Sequence, residues 1–177
     1  MIDPKIHDSS YSWFRLAITL TIAIFANTGM WAVITIMPAL EAEFVTSRAL
    51  TSLPFTFNMI GFAVGNLVIG VIIDRFGITI SIISAALLSG LAYLLSTQAD
   101  SIYFLSIVHL MLGFGCAAGF GPLITDISHW FLRRRGIAVA LTASGNYLAG
   151  AIWPALLSGV LATHGWREVY ILLAIIT

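Results

Sequence analysis

Few side chains in this chain could do chemistry, and they lie where a polar group is costly. Asn27, Trp31, Asn58, Asn146, Tyr147 and Trp153 place hydrogen-bonding or stacking groups inside otherwise apolar runs. Asn27, Trp31 and Thr35 recur at i, i+4 and i+8, which sets them along one helical face. Lipid rejects an unpaired amide, so that face should look inward, either onto a bound solute or onto a neighbouring helix. Asn58 shares a face with Gly61 and Gly65, whose spacing favours close helix packing. His109 also lies at membrane depth, where it could relay a proton or stand neutral and hydrogen-bonded. In the stretch from Ser144 to Pro154, packing accounts for the glycines but less well for Asn146.

The charges mark boundaries. Asp74 and Arg75 interrupt two apolar runs within Gly70-Val71-Ile72-Ile73-Asp74-Arg75-Phe76-Gly77. Asp126, His129 and Arg133, Arg134 and Arg135 crowd the end of a later run, where three arginines alone would suffice to fix topology. Enzyme chemistry finds no support: His-Glu-x-x-His and Gly-x-Ser-x-Gly are absent, and no two carboxylates share a span. The single Cys116 lies within a span, no metal or cofactor is expected, and nucleic acid has no basic surface to use.

The elements that must position these residues follow from the charge-free runs Leu16 to Leu40, Ala49 to Ile73, Phe76 to Ala99, Ser101 to Thr125 and Gly136 to Trp166. A bilayer core about 30 Å thick needs roughly 20 helical residues, so each run is long enough to cross. With 59% hydrophobic and 9% charged residues, the chain is an all-α membrane protein whose partner is the lipid bilayer. Helices are expected over 14–40, 49–73, 78–97, 102–127, 136–162 and 168–177, the last too short to cross. Pro38 should bend or end the first helix, and the glycines before Pro122 should bend the fourth. The third, apolar all round, should face lipid and take no part in binding. A cytoplasmic N-terminus puts six basic residues inside against Arg48 and Arg167 outside, which fixes a multi-pass orientation in the cell's inner membrane. Gly29 and Pro38 match Gly113 and Pro122 in spacing, and Gly70-Val71-Ile72 matches Gly159-Val160-Leu161, as an inverted repeat of three helices plus three requires.

Gly70-x-x-x-Asp74-Arg75-x-Gly77 between spans two and three resembles the most characteristic loop of the major facilitator superfamily, and Gly165-Trp166-Arg167 fits the turn before its sixth span. The segment Asp126 to Ala138, followed by Ser144-Gly145-Asn146, is similar to bacterial carriers of the monocarboxylate and oxalate:formate type. This resemblance implies the N-terminal half of a twelve-helix carrier, cut within helix six, with the C-terminal half or a partner chain missing. It further implies secondary active transport of a small organic solute, a carboxylate anion, by alternating access, with helices one, two, four and five facing the solute. The loop Asp74 would form charge contacts that hold the cytoplasmic side closed, with Arg133, Arg134 and Arg135 as local partners and with Gly70, Arg75, Gly77 and Asp126 part of the same gate. Two departures matter: Ile78-Thr79 replace the usual basic pair, and the run Leu16 to Leu40 of helix one lacks the basic residue of proton-linked lactate carriers. The countercharge for an acid would then come from the other half. The alternative is a non-transporting remnant, or a membrane subunit that needs a separately made half.

Overall fold

A computed structural model describes residues 7–177, and among these every regular element is helical. The elements are α1 (Ser10–Ala26), α2 (Thr28–Glu43), α3 (Arg48–Thr51), α4 (Leu53–Phe76), α5 (Ile78–Ser96), α6 (Ile102–Cys116), α7 (Gly121–Ser128), α8 (Arg135–His164) and α9 (Trp166–Ile176). They build five segments long and apolar enough to cross a membrane: 10–43, 48–76, 78–96, 102–128 and 135–164. Helix starts carry local caps. Ser9 Oγ accepts the Ser12 N–H at 3.4 Å and Ser101 Oγ the Phe104 N–H at 3.2 Å, satisfying donors that have no helical partner.

Two of the five segments are broken near their middles. The first is interrupted at Asn27, and the fourth passes from α6 through a 3-10 turn, Ala117–Gly119, into α7. The expected bend in the fourth is thus a break. Pro38, in contrast, does not end the first: it lies inside α2, which runs on to Glu43. A proline deletes one ladder donor, and the bonds on either side are enough to carry the helix through.

Close packing follows the glycines. A Cβ on Gly61 of α4 would overlap the Leu110 carbonyl of α6, and one on Gly113 of α6 would overlap the Asn58 carbonyl of α4, so the two backbones meet directly. Helix α4 lies along α6 as α8 lies along α1 and α2, which is the same relation in both triplets of helices. Gly77 and Gly165 extend the parallel. Each turns its chain directly from the second helix of a triplet into the third, at φ 82° and 84°, where an L side chain is strained.

The half of the bundle next to the loops 44–47 and 97–101 holds the main core, with Ile36, Leu40, Tyr93, Leu112, Leu157 and Tyr170 fully enclosed. Helix α5 departs from the expectation of a uniformly apolar rod. It exposes Ile80, Ile83, Leu87, Leu91 and Leu94 but buries Ser81, Ala85, Ser89 and Ser96, small groups that let it pack on α6 and α9.

Candidate functional site

The hydrogen-bonding residues at mid-membrane separate into an open set and an enclosed set. Trp31 of α2 donates its indole N–H to Asn146 of α8, reaching the backbone carbonyl at 2.9 Å and Oδ1 at 3.1 Å. Its ring lies so close over Gly150 that a Cβ there would stand 2.8 Å from the indole carbons. Tyr147, one residue on, is 70% exposed. Trp31 and Asn146 thus form one half-buried pair, while Tyr147 leaves the helix about 100° further round its axis.

Asn27, Asn58 and Trp153 are buried and join helices. The Asn27 Nδ2 donates to Ala23 O at 2.7 Å and Gly119 O at 3.1 Å, tying the break in the first segment to the break in the fourth. Trp153 donates its indole N–H to Ile24 O at 3.0 Å, and the Thr28 hydroxyl donates to Phe25 O at 2.6 Å. Side chains therefore take over carbonyls around the break, each of which would cost about 1–3 kcal/mol if buried unpaired. Asn58 Nδ2 donates to Gly29 O at 3.2 Å, fixing α4 to α2. Asn27 and Asn58 are both fully buried, so neither touches a solute in this arrangement.

His109 is enclosed between α6 and α9. Its Nδ1 stands 2.8 Å from Leu105 O, which can only accept, so Nδ1 carries the proton and Nε2 accepts the Tyr170 hydroxyl at 2.8 Å. Both ring nitrogens are used within the protein.

The charged residues form pairs different from those the sequence suggested. Among the described residues the ion pairs are Arg15–Asp126 at 3.0 Å and Arg167–Glu43 at 2.6 Å, so Asp74 is not paired with Arg133, Arg134 or Arg135. Asp74 is exposed and shares a cavity of about 490 Å³ with Gly70, Asn66, Thr125, Asp126 and His129. Arg75 lies over the Phe76 ring at 5.4 Å, Arg134 over Trp13 at 5.9 Å, and Arg135 donates to Ser128 Oγ at 3.3 Å. The sequence reading missed Asp8 and Arg15. Asp8 accepts the backbone N–H groups of Leu132, Arg133 and Arg134, and these bonds hold its carboxyl below the usual range although burial acts the other way. Arg15 adds a cation–π contact, 4.2 Å over Trp130. No local pattern announces either partner, since each lies more than a hundred residues away.

At the opposite end of the bundle from Asp126, Glu43 accepts the Trp166 indole N–H and the Arg167 guanidinium, both at 2.6 Å, while Arg167 also donates to Thr97 O and Ala99 O. One arginine thereby ties the ends of the first and third segments to the start of α9.

The family model of the Major Facilitator Superfamily matches residues 19–177. The chain is 33% identical over 104 residues to the MFS-type transporter pytF of Aspergillus terreus, covering 58% of this chain and 35% of that protein. It is 28% identical over 141 residues to the probable sulfoacetate transporter SauU of Cupriavidus necator, covering 79% of this chain and 33% of the relative. With Monocarboxylate transporter 11 of Homo sapiens it shares 33% identity over 109 residues, which is 58% of this chain and 22% of the human protein. The matched stretch is thus about a third or less of each of these relatives.

Proposed function

The chain belongs to the major facilitator superfamily, and we propose that it serves as half of a secondary carrier moving a small organic solute, a carboxylate anion, by alternating access across the cytoplasmic membrane, with its N-terminus inside. The observation that carries this reading is the Trp31–Asn146 pair, half-buried where Asn27 and Asn58 are fully enclosed, with the exposed Tyr147 next to it in the chain. Amide and hydroxyl hydrogens there bind carboxylate oxygens, while the buried Asn27, Asn58 and Trp153 hold the wall of the path from behind. The countercharge for the acid comes from the opposing half, because the apolar run of helix one has no basic residue. The names of the monocarboxylate and sulfoacetate transporters support the same class of solute.

At the cytoplasmic end, Gly70, Asp74, Arg75 and Gly77 together with Asp126 and Arg133 to Arg135 form the gate. Asp74, exposed and without an ion pair among the described residues, can meet a cation of the other half in one state and release it in the next. His109 acts as a proton relay only if the Tyr170 bond opens. A second reading, a membrane subunit that pairs with a separately made half, is favoured by the apolar residues left uncovered on α4 and α8, such as Leu67 and Leu156.

The test is uptake of radiolabelled lactate, oxalate and sulfoacetate into proteoliposomes made with the native polypeptide. Saturable uptake of at least one acid, weakened by Asn146→Ala at unchanged membrane yield, supports the carrier. Absence of uptake from a correctly inserted protein refutes it as a carrier of these acids.

A further inference from the structure

Asp8 stands outside the proposed path and gate, yet it is bound into the loop that opens α8. Its Oδ2 accepts the N–H of Leu132 at 3.1 Å and of Arg133 at 3.0 Å, and its Oδ1 that of Arg134 at 3.1 Å. The Asp8 N–H in turn donates to Trp130 O at 3.2 Å. Asp8 holds φ at 57°, a left-handed conformation disfavoured for a residue with a Cβ, so the contacts outweigh a local strain. The reason lies in α8. Its N-cap is Arg134, whose side chain makes no capping bond, and the first turn contains no acid. Amides at a helix start need acceptors and favour negative charge. Asp8 gives an acceptor to the N-cap amide of Arg134 and to the two amides before it, and sets a negative charge at the start of α8.

We infer that Asp8 is a positioning residue of the cytoplasmic end: an internal anion seated on the amides of residues 132–134, which fixes where Arg133 and Arg134 stand and leaves their guanidinium groups exposed. The adjacent rings act with it, Tyr11 on Trp130 at 5.7 Å between centroids and Trp13 on Phe131 at 5.1 Å. Helix one and the start of helix five are thereby one unit at this end. The inference rests on the gating reading only for the use to which the arginines are put.

Amide hydrogen exchange on the 177-residue chain in detergent tests it. Asp8→Ala should speed exchange at residues 132–134 about tenfold or more, with the α4–α6 core unchanged. Added sodium acetate, against sodium chloride at equal ionic strength, should slow exchange again in that variant and do nothing to the parent. Should Asp8→Ala fail to fold, Asp8→Asn, which keeps one acceptor oxygen, should show a partial loss at the same three amides. Parent-like exchange in whichever variant folds, or acceleration spread evenly over the chain without acetate rescue, overturns the inference. Arg133→Gln with Arg134→Gln separates the two ideas: lost transport with unchanged exchange leaves seat and gate both standing, while retained transport removes only the gate.

Discussion

Asn27 donates through Nδ2 to Gly119 O at 3.1 Å, so the interruption of the first membrane segment is pinned to the interruption of the fourth. The arrangement needs both features. Gly119 has no Cβ, and one built there would overlap the Ala26 Cβ and stand 3.2 Å from Asn27 Nδ2. Asn27→Ala should therefore lower stability by about 1–3 kcal/mol, the cost of leaving a buried carbonyl without its donor. Thermal unfolding in detergent measures it, and a melting temperature equal to that of the parent would show that the two breaks hold themselves.

The α4–α6 contact makes a sharper demand. Gly61→Ala and Gly113→Ala each place a methyl group into a facing backbone carbonyl, which cannot rotate away as a side chain can. Each should cost at least the 1–3 kcal/mol typical of overpacking, roughly, and the pair should cost less than the sum, because the first separation of the helices makes room for the second. A double-mutant cycle on unfolding in detergent reads this directly. Full additivity would mean that the two glycines do not report one contact.

Membrane class and the number of crossing segments were legible because long charge-free runs have one physical solution in a bilayer, and Gly61-x-x-x-Gly65 marked a tight helix pair for the same reason. The roles of Asn27 and Asn58 were not legible. An amide at mid-span looks alike in sequence whether it binds a solute or a neighbouring carbonyl, and only the fold shows Gly119 and Gly29 opposite them. Pro38 does not end its helix because the loss of one ladder bond need not do so, whereas the break at Asn27 is met by partners from other helices. Asp8 and Arg15 were invisible because their partners come into reach only when the first and fourth segments stand side by side.

The Glu43 clamp predicts a salt effect with a definite sign. Glu43 accepts the Trp166 N–H and the Arg167 guanidinium, and its removal leaves both donors without a charged acceptor. Glu43→Gln should therefore melt below the parent at low salt. Because both side chains are about 40% exposed, the gap should narrow in high salt. A gap independent of salt would assign the effect of the substitution to lost packing alone.

Trp31 and Asn146 allow structural and binding roles to be told apart. Trp31→Phe keeps a ring over Gly150 but removes the N–H that reaches the Asn146 backbone carbonyl and Oδ1. With Oδ1 released, the Asn146 amide is free to turn, and a solute held by its Nδ2 loses a fixed donor. Such a donor is worth about 0.5–1.5 kcal/mol, or roughly two- to twelve-fold in affinity. In the carrier reading, Trp31→Phe should raise the half-saturating concentration of acid by that range while membrane yield and melting temperature change little. Asn146→Ala should exceed it, since the donor is then gone rather than loosened. If both variants instead lose yield in step with uptake, the Trp31–Asn146 pair is a joint between helices one and five, and the solute is held elsewhere.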